Sequence, residues 1–263
     1  MLPLAGSGFP DSPTALSAAI EAGFEHYGLK VKTVRVEGGQ YPEVDSLNLD
    51  LTGAEATRSQ KIPKPGKLTG AALKAGALEI QASPLLFEGT PIRLHLAARN
   101  VELQHSEAGN DSLLSPVRAS DGSIEIEISR ADLEKLLHTI ATTAAASHGV
   151  EIRETHIQFT SRGPRALSFQ AEIVAKVFFV KAPVTFTGDA AIDDDLNLHL
   201  SNLATAGSGV GANLASSFLK PQFDKLQSKP IPFAVLELGE IKLRDVEVAA
   251  GESLRLQAKF GSA

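Results

Sequence analysis

The sequence contains no cysteine and no tryptophan, and only 2 of its 263 residues are tyrosine. The absence of cysteine excludes disulfide bonds, thiolate zinc sites and a cysteine nucleophile. The shortage of Tyr and Trp leaves few of the aromatic side chains that are favoured at protein interfaces and that stack on nucleic-acid bases. The formal net charge of −6 also argues against general nucleic-acid binding, which needs a basic surface.

Long hydrophobic runs are also missing. No apolar run approaches the roughly 20 residues of a membrane-spanning helix, and the densest patch, over residues 173–180, is interrupted by Lys176. Residues 1–10 show neither the basic nor the apolar region of a signal peptide. The 43% hydrophobic and 21% charged residues are nevertheless sufficient for a large core, in one elongated domain or in two halves.

Helices are predicted where apolar residues recur at helical spacing. The first follows a cap at Asp11 or Ser12, has Pro13 in its first turn and ends at Gly28. Its apolar face is formed by Leu16, Ala19, Ile20, Gly23 and Phe24. The second begins with a capping box of Ser129 and Asp132. Its long apolar stripe consists of Leu133, Leu136, Leu137, Ile140, Ala141 and Ala144.

A third helix is predicted over residues 210–227, with Leu214 and Phe218 on its apolar face and a kink at Pro221. The first two helices are each followed by a glycine and an alternating strand, and residues 28–36 and 149–157 look like copies. We therefore expect a single elongated domain, with two pseudo-repeats over about residues 11–128 and 129–263 as the alternative reading.

The segments between the helices alternate between apolar and polar residues, as half-buried strands do. The clearest strand covers residues 167–177, where Leu167, Phe169, Ala171, Ile173, Ala175 and Val177 share one face. Loops are predicted at residues 58–67, 84–89 and 106–112, and Pro183 is expected to break a strand. The order favours an α+β fold with long curved antiparallel sheets wrapped around amphipathic helices, rather than a doubly wound parallel sheet.

Short motifs give no support for catalysis, a cofactor or a metal. Residues 207–212 match the dinucleotide-binding pattern, but no βαβ unit surrounds them, so a flexible hinge is the better interpretation. Asp193, Asp194 and Asp195 are interpreted as a hairpin turn rather than a cation site. Ser217 begins an S-x-x-K motif whose companion motifs are missing, and the seven histidines show no zinc-binding spacing.

The remaining candidate for function is apolar surface. A long sheet that wraps a helix can leave a groove for an acyl chain, lined by aliphatic and aromatic side chains. For each predicted lining residue, an ordinary packed core is the alternative interpretation. The predicted lining residues are Leu16, Ile20, Phe24, Leu133, Leu137, Ile140, Phe169, Ile173, Phe186, Leu214 and Phe218.

The loop predicted over residues 58–67 is basic. Arg58, Lys61, Lys64 and Lys67 could contact anionic lipid headgroups at a membrane surface. A solvated loop without a partner is the alternative interpretation.

The C-terminal part of the chain resembles the LmeA family of phospholipid-binding proteins, a domain of unknown function in actinobacteria and cyanobacteria. The resemblance lies in Thr185, Phe186, Thr187, Gly188, the Asp195-Leu196-Asn197-Leu198 segment, the helix over residues 214–226, the Lys229-Pro230-Ile231-Pro232 segment and the hairpin over residues 243–260. The opening helix and strand over residues 15–37 also fit. The resemblance implies an extracytoplasmic, membrane-associated protein with tubular lipid-binding (TULIP-like) character and supplies no catalytic residues. The absence of a visible signal peptide departs from the exported members of that family.

The sequence therefore predicts a non-enzymatic protein without a cofactor, which binds a phospholipid or another acyl-chain lipid in an elongated apolar groove. A structural or adaptor module with a filled core and a protein partner is the second hypothesis. A hydrolase that uses Ser217 is a third.

Overall fold

A computed structural model describes residues 1–6, 8–57, 60, 66–108, 111–146, 150–177, 180–207, 227, 231–232 and 240–262. In chain order, the elements in these residues are β1 (Leu2–Leu4), α1 (Pro13–His26), β2 (Thr33–Glu37), β3 (Glu43–Asp50), β4 (Glu55–Ala56), β5 (Lys67–Phe87), β6 (Thr90–Ala108), β7 (Asp111–Arg118), β8 (Asp121–Ser129), α2 (Arg130–Ala146), β9 (Val150–Gly163), β10 (Ala166–Val177), β11 (Val180–Ile192), β12 (Asn197–Gly207), β13 (Ile231–Pro232), β14 (Ile241–Ala250) and β15 (Ser253–Ser262).

The chain divides into two compact units. The first consists of Met1–Glu127, Leu236–Asp245 and Gln257–Ala263, and the second of Ile128–Val235 and Val246–Leu256. The interpretation as two pseudo-repeats remains a prediction. Among the described residues, neither helix combines the length and the apolar content that a membrane-spanning segment needs.

The first sheet has the strand order β14-β15-β8-β6-β5-β3-β2, with β7 paired to β6 and β1 paired to β7. Most neighbours are antiparallel, but β3 and β4 both run parallel to β5. Strand β6 changes partner along its length: it pairs with β8 up to Arg99 and with β7 from Glu102. Asn100, between these two segments, has a positive φ of 47°. Strand β6 is therefore one strand with an irregular backbone between its two pairing segments.

Helix α1 begins as predicted, because the Ser12 side chain accepts a hydrogen bond from the Ala15 N–H at 3.3 Å. Its apolar face packs into the core of the first unit, close to strand β1. The Ala5 N–H donates to the Ala19 carbonyl at 2.8 Å. A Cβ atom at Gly23 would lie 2.3 Å from the Pro3 carbonyl oxygen. Gly23 therefore permits a backbone approach that no other residue would allow.

The second sheet has the strand order β13-β12-β11-β10-β9 and is antiparallel throughout. Helix α2 precedes it and packs against β9. The predicted cap at Ser129 is confirmed, because the Asp132 N–H donates to Ser129 Oγ at 3.1 Å. The Asp132 carboxylate accepts a hydrogen bond from the Ser129 hydroxyl at 2.6 Å, and this bond takes the place of the backbone contact of a capping box.

At one edge of each sheet, a glutamate from a neighbouring helix accepts a hydrogen bond from a backbone N–H. Glu21 of α1 accepts a hydrogen bond from the Val34 N–H of β2 at 3.2 Å. Glu134 of α2 accepts one from the Ile157 N–H of β9 at 2.9 Å. Among the described strands, β2 and β9 are terminal in their sheets, and no described strand pairs with these N–H groups.

The predicted α+β class fits the long antiparallel sheets and the two described helices, while tubular wrapping remains a prediction. Three predicted interruptions differ from the structure in extent, although a turn does lie at Glu88 and Gly89, within the predicted range 84–89. Strand β5 continues through Pro84 to Phe87, strands β6 and β7 extend into the predicted loop over residues 106–112, and β11 includes Pro183. Of the third predicted helix, the described residues contain only Gln227, which is helical.

Candidate functional site

The central strands of the second sheet, β10 and β11, have one face without any polar side chain. On β10 this face carries Leu167, Phe169, Ala171, Ile173 and Ala175, in agreement with the predicted alternation. The register places Phe186 of β11 beside Ala171 and Val184 beside Ile173. Because paired residues in an antiparallel sheet lie on the same face, the two strands form one continuous apolar surface.

Neighbouring strands extend this surface. Phe159 of β9 pairs with Phe169 on one side, and Gly188 of β11 pairs with it on the other. A Cβ atom at Gly188 would lie 2.6 Å from Phe169 Cζ and 2.5 Å from Leu203 Cδ2. The Phe169 ring and the Leu203 side chain therefore meet in the space that this glycine leaves open. We call the surface the apolar face of the second sheet; its members are Phe159, Leu167, Phe169, Ala171, Ile173, Ala175, Val184, Phe186, Gly188 and Leu203.

Burial differs along this face. Leu167 and Val184 are 7% and 4% exposed and belong to the interior. Phe169, Ile173 and Phe186, which the sequence predicts as groove residues, are only half-buried. Along β10, the small Ala171 and Ala175 alternate with the larger Phe169 and Ile173. The result is an apolar surface of alternating large and small side chains.

Helix α2 contributes the other predicted residues of the second unit. Leu133 and Leu137 are half-buried, and Ile140 is 37% exposed. The helix is held beside the edge strand β9 by the hydrogen bond between Glu134 and Ile157, and His138 Nδ1 lies 3.3 Å from Thr155 Oγ1. The second unit therefore combines a half-exposed helix stripe with a half-exposed sheet face.

The predicted lining residues on α1 lie elsewhere, in the first unit. Leu16 and Ile20 are fully buried and Phe24 is 5% exposed, in a core shared with Leu2 and Leu4 of β1. They are placed as ordinary core residues, which is the alternative that the sequence left open. Their part in a lipid groove remains a prediction.

The other predicted positions lie largely outside the described residues. This applies to Leu214 and Phe218, and to Arg58, Lys61 and Lys64. Lys67 is exposed at the first residue of β5. Contact between this segment and a membrane surface remains a prediction.

The acidic segment at Asp193 is a turn, as predicted. The Asp193 carboxylate accepts the Asn197 N–H at 2.8 Å and lies 2.7 Å from His199 Nε2. Hydrogen bonds from the Asn197 backbone and from His199 lower the pKa of Asp193 to about 2. Asp194 pairs with Arg165 at 3.2 Å. Within the described residues, no group of three or more His, Asp or Glu side chains is placed to hold a metal ion.

A cluster of Thr69 with the buried residues His105 and Ser112 was not predicted from the sequence. His105 is 1% exposed; its Nδ1 lies 2.8 Å from Thr69 Oγ1 and its Nε2 2.5 Å from Ser112 Oγ. Burial lowers the pKa of His105, and the Glu107 carboxylate opposes this effect. A serine beside a histidine can act as a nucleophile, but Ser112 is only 3% exposed. The cluster therefore crosslinks β5, β6 and β7 in the interior, where a substrate has no access to it.

Comparisons with known proteins do not assign the chain to a family. No family model matches the chain, and no curated protein matches it. Among solved structures, the chain is similar to one described as the crystal structure of a lipopolysaccharide binding protein, with 12% sequence identity and a TM-score of 0.24. The match covers 65% of this chain and 54% of that chain. The resemblance to the LmeA family remains a prediction.

Proposed function

We propose that this protein is a non-enzymatic lipid-binding protein and that the apolar face of the second sheet receives an acyl chain. One observation carries the proposal: β10 and β11 direct only apolar side chains to one face, and Phe169, Ile173 and Phe186 on it are half-buried. Contiguous apolar patches that remain partly exposed are typical of interaction sites, because leaving them in water costs free energy. The mechanism is burial of apolar area, which contributes about 0.8 kcal/mol per CH₂ group.

An acyl chain fits this face better than a protein partner does. Protein interfaces rely on Tyr, Trp and Arg side chains at their centres. The chain has no Trp, and its two tyrosines, Tyr27 and Tyr41, belong to the first unit. The apolar residues of β10 span five alternate positions, or roughly 26 Å at about 3.3 Å per residue. The alternation of Ala171 and Ala175 with larger residues provides shallow depressions along this length.

The experiment compares two substitutions in adjacent residues of β10. Ile173→Thr places a hydroxyl on the apolar face but keeps a β-branched side chain, whereas Val174→Thr makes a similar change on the opposite face. We expect Ile173→Thr to weaken binding of cis-parinaric acid by about 1–2 kcal/mol, or roughly 5- to 30-fold. Val174→Thr should leave the affinity unchanged.

Native mass spectrometry and organic extraction of the purified full chain provide a second measurement. We expect acyl-chain lipids to copurify with the protein, or to bind when vesicles of phosphatidylcholine and phosphatidylglycerol are added. A chain that neither retains nor takes up lipid would refute the proposal. Equal loss of affinity in the two threonine variants would refute the assignment to this face.

A further inference from the structure

The opposite, hydrophilic face of the second sheet contains an open cleft of about 310 Å³. Side chains from four strands, β9 to β12, line it. The register arranges them in two rows across the strands. Thr160, Ser168 and Asp189 form one row, and Gln158, Gln170 and Thr187 form the other. The volume lies at the lower end of the range for small-molecule sites, about 300–1,000 Å³.

Asp189 lies at the β11 end of the first row, beside Ser168, and is held from three sides. Ser168 Oγ donates a hydrogen bond to one carboxylate oxygen, and Asn202 Nδ2 donates to the other at 2.6 Å. The Arg162 guanidinium lies 3.8 Å away. The hydrogen bonds from Asn202 and Ser168 lower the pKa of Asp189. The carboxylate is therefore charged at neutral pH and fixed in position, with 26% of its side chain exposed.

The backbone of β12 is distorted at this point. Asn202 has a positive φ of 53°, and the register between β11 and β12 shifts between Thr187 and Asp189. Asparagine is among the non-glycine residues that adopt this conformation most readily. Here the distortion places the Asn202 amide against Asp189.

The side chains around Asp189 are free to bind a ligand. Gln158, Thr160, Gln170 and Thr187 make no hydrogen bond through their side chains with any other described residue. Each of these groups both donates and accepts hydrogen bonds. Asp189 adds an acceptor and Arg162 adds a donor, and their charges cancel. The cleft therefore offers many neutral donors and acceptors without a net charge.

From this geometry we infer that the cleft around Asp189 binds a neutral polyhydroxylated ligand of about monosaccharide size. A hydroxyl group donates and accepts at the same atom, so a polyol can pair with glutamine, threonine and aspartate side chains together. A phosphate or another anion is disfavoured, because Asp189 repels it and Arg162 is the cation that faces the cleft. The inference concerns the face opposite the apolar face and does not depend on lipid binding.

The experiment is a titration of the ¹⁵N-labelled full chain with α-methyl glucoside, α-methyl mannoside and myo-inositol, followed by NMR. We expect saturable shifts of backbone amides around Gln158, Gln170, Thr187 and Asn202. Asp189→Asn should abolish them. Gln170→Thr removes an exposed amide that supports no other contact, so the fold is kept and the affinity should fall roughly 2- to 10-fold.

Glu79→Gln is the matched control, since it removes an exposed carboxylate from the sheet of the first unit. It should not change the titration. The inference is overturned if none of the three compounds causes saturable shifts, if the Asp189→Asn and Gln170→Thr variants both bind like the native chain, or if inorganic phosphate alone produces the same shifts.

Discussion

In helix α1, the substitution Gly23→Ala is expected to destabilise the first unit, although the same change stabilises most helices. At an unconstrained helix position, alanine is favoured over glycine by about 1 kcal/mol. At Gly23 the new Cβ atom would lie 2.3 Å from the Pro3 carbonyl oxygen and 2.8 Å from the Leu4 nitrogen. These are backbone atoms of β1, so they cannot rotate away as a flexible side chain would.

The size of the effect follows from this geometry. Ordinary contact with a Cβ atom begins at 3.4 Å, so α1 and β1 would have to separate by 3.4 − 2.3, or about 1 Å. Overpacking of this kind costs about 1–3 kcal/mol. The separation also weakens the hydrogen bond from Ala5 to Ala19, at about 1 kcal/mol. After the gain in helix propensity, the net loss in free energy of unfolding is about 1–3 kcal/mol.

Urea unfolding followed by tyrosine fluorescence measures this loss in the first unit alone. The chain has no Trp, and both tyrosines belong to the first unit. Ala22→Gly is the matched control, because Ala22 is exposed on the same helix and should lose only about 1 kcal/mol. A Gly23→Ala variant that is more stable than the native chain would refute the close packing of α1 on β1.

Two further predictions concern a buried titratable group and a helix cap. Because burial lowers the pKa of His105, the unfolded chain binds a proton more readily below pH 6.5. The free energy of unfolding of the first unit should therefore fall as the pH is lowered from 6.5, by at most about 1.4 kcal/mol per pH unit, and His105→Gln should remove this component. Ser129→Ala should destabilise α2 by about 1 kcal/mol, measured by amide hydrogen exchange, whereas Thr143→Ala at an exposed position near the other end should have little effect. Unchanged exchange in the Ser129 variant, or an identical pH dependence in the His105 variant, would contradict these assignments.

Local chemistry was sufficient to predict α1, α2 and the clearest strand. The caps at Ser12 and Ser129 are hydrogen bonds between residues three positions apart, so their residue types reveal them. Strand β10 was predicted over nearly its observed length because Leu167 to Ala175 alternate without a slip.

The missed continuities of β5 and β11 depend on pairing, which the sequence does not display. Proline cannot donate to a neighbouring strand and normally indicates an interruption. Pro84 lies within a register shift between β5 and β6, from Ala82 to Leu85. Pro183 pairs with Val174 of β10. Pro84 therefore occupies a position where the ladder between β5 and β6 does not need its missing N–H.

The candidate site was predictable only in part, because it also depends on pairing between strands. Alternation identifies Phe169, Ile173 and Phe186 as one face of their strands. The meeting of the Phe169 ring and the Leu203 side chain beside Gly188 depends on the register of the consecutive strands β10, β11 and β12, which alternation within one strand does not give. His105 was missed because the predicted loop over residues 106–112 is polar, although Ser106 and Ser112 are buried in paired strands.

The glutamates at the sheet edges have a consequence for self-association. A terminal strand offers a row of free amides to any extended segment, including one from another copy of the chain. At β2 and β9, one of these amides already binds Glu21 or Glu134. An incoming strand would have to expel that carboxylate and place its own backbone where a helix side chain now lies. Each helix thus protects the edge beside it from forming an intermolecular sheet.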